Sequence, residues 1–120
     1  MSENKEYVSR LLENGAIHIS EEVLASMAAL AVAEVEGVYG LSNVLTAKKS
    51  TTKGVRVIIA QDDSISIDCY VIALYGYSVV EVAKSVQEAV TTTLESTTGS
   101  KISNVNVSIS GIAHPRSAKK

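Results

Sequence analysis

Two stretches of the chain carry apolar residues at the spacing of an α-helix. The first follows Ser20, a residue type that caps helix N-termini, and is predicted to end at Gly37. The second follows Ser78, which can form a capping box with Glu81, and is predicted to end at Gly99. The predicted core stripes are Val23, Met27, Leu30 and Ala31 in the first helix and Val79, Val82, Ala83, Val86, Val90 and Leu94 in the second.

A second apolar row on the first helix contains only alanine. Ala25, Ala29 and Ala33 recur at i, i+4 and i+8 on the side opposite the predicted core stripe. Their presence is explained either by the high helix propensity of alanine or by a smooth face against which another helix or a subunit packs closely. Under the second hypothesis these three residues form an interaction surface.

Alternation of apolar and polar residues predicts the strands, and the longest strand covers residues 65–75. Residues 54–60 precede it across a four-residue turn, so these two strands are predicted to form a β-hairpin. A last strand is predicted over residues 102–112, and a short extended stretch over residues 16–19. Along the sequence, each predicted helix is therefore preceded and followed by a predicted strand.

The longest strand has two different faces. One face is apolar throughout, whereas the other begins with polar residues and ends with Tyr70, Ile72 and Leu74. We expect the apolar end of this second face to be covered by the N-terminal tail, by a loop or by a partner chain. These three residues are therefore a second candidate interaction surface.

The predicted elements follow one another in the order β-α-β-β-α-β. Two amphipathic helices and a small mixed sheet predict an α+β domain of two layers, with both helices on one face of the sheet. The split βαβ arrangement, which is the ferredoxin-like topology, has this order of elements.

The length of 120 residues fits one domain, which is predicted to cover residues 15–113. Residues 1–14 are predicted to be a flexible N-terminal segment that forms one or two helical turns on docking. Residues 42–53 are predicted to be a flexible basic loop, and residues 114–120 a disordered basic tail.

Charge and cysteine content exclude several classes of protein. The chain has 11 lysines and arginines and 13 aspartates and glutamates, and its net charge of −2 argues against a strongly basic nucleic-acid binder. A single cysteine cannot form an internal disulfide, which fits a reducing compartment. No apolar run approaches the ~20 residues of a membrane span, and the N-terminus lacks the apolar region of a secretory signal. The chain is therefore expected to be cytoplasmic and to reach a membrane only peripherally or through a partner.

Candidate catalytic and metal-binding residues are few. His18 and His114 lie far apart in the sequence, and neither has metal-ligand spacing to a cysteine, a histidine or a carboxylate. Cys69 falls on the core side of its strand, where a thiol behaves as a small hydrophobic group. Asp62 and Asp63 lie in a turn, where carboxylates are usually solvated. The sequence thus predicts no catalytic residue, no metal site and no cofactor.

Two further features have a structural and a functional interpretation. Residues 37–40 (GVYG) have the G-x-x-G spacing of the KH loop that clamps nucleic acid, but no helix pattern follows them, so helix termination is the main interpretation. Asp68 is predicted either to be solvated or to pair with Arg56 across the hairpin.

The cationic residues are unevenly distributed, because six of the 11 lie in the predicted loop and the C-terminal tail. If loop and tail lie together, these residues can contact anionic lipid headgroups, nucleic acid or an acidic partner, and a solvated charge cluster is the alternative. The candidate anion-contact residues are Lys48, Lys49, Lys53, Arg116, Lys119 and Lys120.

Several short segments, in order along the chain, resemble the bacterial alkaline shock protein family, also called the Gls-type envelope stress response family. The resemblance covers roughly residues 16–112. The segments are residues 19–24 (ISEEVL), 34–40 (EVEGVYG), 53–57 (KGVRV), 65–70 (ISIDCY), 75–76 (YG), 82–90 (VAKSVQEAV) and 105–112 (VNVSISGI).

The resemblance implies a small cytoplasmic protein without known enzymatic activity, linked to cell-envelope homeostasis and to alkaline or general stress. Different members of the family are held at the membrane by a separate anchor protein, self-associate, or are associated with lipid metabolism. The resemblance supplies no binding residues.

The leading hypothesis is therefore a non-enzymatic interaction or scaffold protein near the inner surface of the cell envelope. Its expected partners are other proteins, which include a membrane-anchored protein. Further copies of the same chain are also expected partners. The second hypothesis is a nucleic-acid or anionic-lipid binder that uses the basic loop and tail. An enzyme is the third hypothesis, and it requires a deep pocket with convergent polar groups.

Overall fold

The computed structural model describes residues 6–42, 51–52 and 54–114 of the chain. These residues form two helices and seven strands, in an α+β fold as predicted. The elements are β1 (Tyr7–Leu12), β2 (Gly15–Ser20), α1 (Glu21–Ala33), β3 (Val38–Leu41), β4 (Thr51–Thr52), β5 (Val55–Ile59), β6 (Ile65–Leu74), α2 (Val79–Thr98) and β7 (Ile102–Ala113).

Strand β6 is the centre of a mixed five-stranded sheet. Strand β7 runs parallel to β6 along its whole length. On the other edge, β5 pairs antiparallel with the first half of β6 and β3 pairs antiparallel with the second half. The change of neighbour occurs at Tyr70, whose amide donates to the Gly54 carbonyl (2.9 Å) and whose carbonyl accepts from the Ser42 amide (2.7 Å). Both edges of β6 are therefore hydrogen-bonded.

The core lies between one face of this sheet and the two helices. Every second residue of β6, from Ile65 to Ala73, is fully buried, and residues from both helices join the same apolar cluster. The alternate residues of β6 lie on the opposite, open face and are half-buried. The prediction of a two-layer domain with both helices on one face of a small mixed sheet is confirmed.

The N-terminal segment differs from the prediction. Strands β1 and β2 form a separate antiparallel hairpin, so β2 is not part of the main sheet as the first strand of a ferredoxin-like domain is. The expectation of helical turns before residue 14 is wrong, because pairing with β2 and burial of Val8 favour an extended chain. The sequence signal for this hairpin is the turn-forming pair Asn14-Gly15.

Helix α1 buries the face opposite to the one predicted. Of the predicted stripe, Val23 and Leu30 are 48% and 69% exposed, and Met27 and Ala31 are only partly buried. The error has a physical reason, because nearly all residues of α1 are apolar and the pattern offers no contrast between its faces. The small alanines allow α1 to approach its neighbours closely. The buried residues are Leu24, Ala25, Ala28, Ala29 and Val32.

Helix α2 agrees closely with the prediction. The Ser78 hydroxyl accepts from the Glu81 amide (3.3 Å), and Gly99 ends the helix in the left-handed conformation (φ 76°). The last turn carries no basic residue, but Arg10 of β1 donates from Nη1 to the Gly99 carbonyl (3.1 Å) and supplies a cation at the negative helix end. The buried stripe contains Val82, Val86, Val90 and Leu94, whereas Val79 is exposed.

Cys69 belongs to the core, as predicted, and is fully buried on β6. Burial raises the pKa of its thiol to about 12, and the charge of Asp68 adds to this rise. The thiol is therefore protonated and shielded at neutral pH, which removes it from the candidates for a nucleophile.

A first prediction concerns Gly37, which follows α1 with a positive φ of 93°. A methyl group there would lie 2.7 Å from Val82 Cγ2 and 3.0 Å from Tyr77 Cδ2. We expect Gly37→Ala to lower the free energy of unfolding by about 1–3 kcal/mol, through backbone strain and overpacking. Urea unfolding measures this change. Gly40→Ala is the matched control, since its added methyl group meets no atom within 4 Å, and an equal loss in both variants would contradict the prediction.

A second prediction concerns the reactivity of Cys69. At pH 8 we expect a chromogenic disulfide reagent to modify the native thiol at least about a hundredfold more slowly than the thiol of the urea-unfolded chain. Because the pKa in the folded state exceeds the reference value of 9.0, burial of the neutral thiol stabilises the fold below pH 9, and this contribution is lost as the pH rises toward 12. Equal reaction rates in the two states would show that the site is open.

Candidate interaction surfaces

The predicted alanine face is not a docking surface. Ala25 and Ala29 are 2% and 9% exposed and belong to the core cluster, and only Ala33 is exposed. The prediction is wrong for Ala25 and Ala29, because the close packing that small residues permit is used inside the chain. Helix α1 packs against α2, β5 and β3 of the same domain.

The exposed side of α1 is apolar instead. We call Val23, Ser26, Met27, Leu30 and Ala33 the outer surface of α1; all are exposed except Met27, which is half-buried. No charged residue occurs in α1 after Glu22. Solvent-facing helix surfaces normally carry charged and polar residues, so this composition is typical of a face that another molecule covers.

The outer surface of α2 has the opposite character. Its exposed positions include Lys84, Glu88 and Thr92, which fits a face in permanent contact with water. The two helices therefore differ in what they present on the same side of the domain. The sequence indicates this difference, because α1 has no charged residue after Glu22 whereas α2 has several.

A polar row crosses the open face of the main sheet. Asp68 accepts from Asn106 Nδ2 at Oδ1 (2.9 Å), and its Oδ2 lies 3.8 Å from Arg56 Nη1. The pairing of Asp68 with Arg56 that the hairpin suggested is thus present. Because the three residues are aligned on β5, β6 and β7, the row ties the strands together across this face.

Tyr70, Ile72 and Leu74 lie on this open face, beyond the polar row, and are half-buried. The structure places them side by side on β6, as the sequence predicted. Their role as an interaction surface stays a prediction.

The six candidate anion-contact residues lie outside the described residues. Their role in binding anions therefore also stays a prediction. These residues are Lys48, Lys49, Lys53, Arg116, Lys119 and Lys120.

The two histidines have aromatic neighbours. His18 stacks on Tyr7 with 4.3 Å between ring centroids, and His114 stacks on Tyr75 with 5.6 Å. Within the part of the chain that the structure describes, no group of three or more histidine, cysteine, aspartate or glutamate side chains could hold a metal ion.

A surface cleft of about 540 Å³ lies where β1, the turn before β6 and the start of β7 meet. Its charged lining residues are Arg10, Asp62, Asp63 and Lys101. Asp62 is hydrogen-bonded within its own turn: its Oδ1 accepts from the amide (3.0 Å) and the hydroxyl (2.7 Å) of Ser64. The carboxylate thus stabilises the turn, which supports the structural interpretation of the two aspartates.

The G-x-x-G segment lies between the turn that follows α1 and strand β3. Gly37 has a positive φ, and Val38 is already the first residue of β3. A KH clamp joins two helices, whereas this segment leads into a strand, which argues against nucleic-acid clamping. Helix α1 ends earlier than predicted, at Ala33 with Glu34 as its C-cap, so Gly37 does not terminate it.

One edge of β7 is open along the sheet. Among the described strands, β7 pairs only with β6. Its 12 residues contain neither charge nor proline. The exposed polar residues along it are Ser103, Asn104, Asn106, Ser108 and Ser110.

Neither of the two described helices has the length and apolar character that crossing a membrane requires.

The chain matches known proteins over nearly its whole length. The model of the alkaline shock protein 23 family, described by a cell envelope-related function, matches residues 11–114. The uncharacterized protein YqhY of Bacillus subtilis is 36% identical over 113 residues, which cover 88% of this chain and 83% of that protein. The uncharacterized protein Spy1614 of Streptococcus pyogenes is 33% identical over 109 residues, which cover 83% of this chain and 89% of that protein.

A second Bacillus subtilis protein, the uncharacterized protein YloU, is 32% identical over 107 residues, which cover 82% of this chain and 88% of its own length. No solved structure matches the chain significantly. The family match and these relatives confirm the resemblance seen in the sequence: the chain belongs to the alkaline shock protein 23 family, whose function is related to the cell envelope.

Proposed function

We propose that this protein is a non-enzymatic interaction protein that acts at the cytoplasmic side of the cell envelope, where the outer surface of α1 docks a protein partner. The family supports the cell-envelope context. The observation that carries the docking site is the exposed, charge-free side of α1, with Leu30 at its centre.

Exposure of this surface has an energetic consequence. Complete burial of one leucine or valine side chain contributes about 1.5–3 kcal/mol, and Leu30 and Val23 leave much of this contribution unused in the isolated chain. A partner that covers both residues and the half-buried Met27 recovers it. The three residues occupy positions i, i+4 and i+7, which suits a helix or an apolar groove on the partner.

The charges at the start of α1 favour a protein over a lipid surface. Glu21 and Glu22 begin the helix, and burial raises the pKa of Glu21, with further contributions from the charges of Glu6 and Glu22. A group of acidic residues beside the docking surface is repelled by anionic headgroups. The complementary partner therefore has an apolar centre and a basic residue that faces the start of α1.

Serine hydroxyls line the cleft, but none of its lining residues is a histidine or cysteine that could complete a Ser-His or Cys-His pair. Asp62 is engaged in its turn. The cleft is open to solvent on one side, whereas an active site usually excludes water from its reacting groups.

A third prediction tests the docking surface with Leu30→Glu. Because Leu30 is 69% exposed, we expect the free energy of unfolding to change by no more than about 0.5 kcal/mol. We expect a charge at this position to reduce capture of partner protein from the membrane fraction of the native cells at least tenfold, measured by quantitative mass spectrometry after cross-linking.

The matched control is Thr92→Glu, which places the same charge on the polar outer surface of α2 and should capture the partner as the unchanged protein does. If Leu30→Glu retains the captured proteins of the unchanged chain, the α1 docking site is refuted.

A further inference from the structure

Strand β7 is an edge strand without the usual protection against pairing. Natural edge strands are short, or carry lysine, proline or inward-pointing charges, which prevent association with another chain. Strand β7 has 12 residues, is the longest strand described, and has no charge and no proline from Ile102 to Ala113. Apart from the Ile102 amide and the Val105 carbonyl, which side chains of α2 already bond, the backbone groups on its side away from β6 can therefore accept another strand.

The other outer strands are better protected. Strand β1 carries Arg10, and β3 and β4 have only four and two residues. If every edge strand were exposed to water, the longest one would have the greatest need of a charged residue that prevents association. The missing charge on β7 thus indicates that this edge is covered.

We propose that β7 pairs antiparallel with β7 of a second copy of this chain, so that the two main sheets join into one continuous sheet. A second copy suits this edge because a two-fold axis brings the same segment opposite itself. An uncharged segment meets no like charge in that arrangement. The amide and hydroxyl groups of Asn104, Asn106 and Ser108 can both donate and accept, so each can bond to a copy of the same set.

The charged residue next to β7, Lys101, is also compatible with this pairing. Lys101 lies just before β7, and in an antiparallel pair centred on Asn106 or Val107 it lies near the far end of the partner strand, away from the second Lys101. In both registers, residues opposite each other in the pair point to the same face of the sheet. Both helix layers then lie on the same side of the joined sheet.

Helix α2 would lie beside the junction without blocking it. Gln87 Nε2 donates to the Val105 carbonyl (3.0 Å), which fixes α2 above β7. The exposed residues of α2 at this level include Lys84 and Glu88, which have opposite charges. Two antiparallel copies of α2 therefore present complementary groups to each other.

The first experiment is sedimentation velocity of the full chain. We expect a concentration-dependent dimer, and we expect the double variant Asn104→Lys with Ser108→Lys to raise the dimer dissociation constant at least tenfold, because like charges then face each other across the pair. Circular dichroism checks that the variant is folded.

Leu30→Glu is the control that separates this proposal from the α1 docking site. It should leave the dimer intact. A chain that remains monomeric up to several hundred micromolar, or a dimer lost in Leu30→Glu and kept in the lysine variant, would overturn edge pairing without affecting the proposed partner of α1.

The second experiment determines the register by oxidation of Asn106→Cys and Ser108→Cys, alone and mixed. Cys69 adds no background, since it is fully buried. Pairing centred on Asn106 gives a disulfide in Asn106→Cys alone, and pairing centred on Val107 gives one only in the mixture. Tyr39→Cys, an exposed position on β3 at the opposite edge of β6, serves as the control for random collision, and edge cysteines that cross-link no faster than this control contradict the proposal.

Discussion

The hydrogen-bonding requirement of β6 determines the position of nearly every other element. A strand buried on one face must pair its backbone groups on both edges, since an unpaired group costs free energy. A parallel neighbour requires a crossover connection, and α2 is that connection between β6 and β7. The second half of the other edge is filled by β3, which follows α1. Both helices therefore lie over the same face of the sheet.

This arrangement leaves two surfaces of different kinds. Helix α1 must approach its neighbours closely, so its alanines are inside and larger apolar residues such as Leu30 are outside. Strand β7 pairs with the whole of β6, and no other described strand lies along its second edge. The first surface is suited to side-chain packing and the second to backbone pairing. The proposed docking site on α1 and the proposed pairing at β7 therefore do not overlap.

Sequence patterns predicted the parts of the fold in which polar and apolar residues contrast. Helix α2 and the buried face of β6, including Cys69, have that contrast and were predicted correctly. Helix α1 lacks it, so the larger residues Val23 and Leu30 were assigned to the core that Ala25 in fact occupies. The β1–β2 hairpin depends on burial of Val8 by residues distant in sequence, which local periodicity cannot reveal. The Leu30 surface was missed for the same reason as the core of α1.

The N-terminal hairpin is held by few contacts, and this has a consequence for local unfolding. A two-stranded sheet is marginally stable by itself, so β1 and β2 depend on the burial of Val8 and on the bond from Arg10 to Gly99. Opening of the hairpin requires far less free energy than opening of β6. When it opens, the end of α2 loses its guanidinium donor and part of the core meets water. We expect the amide hydrogens of the hairpin and of the last turn of α2 to exchange before those of the main sheet.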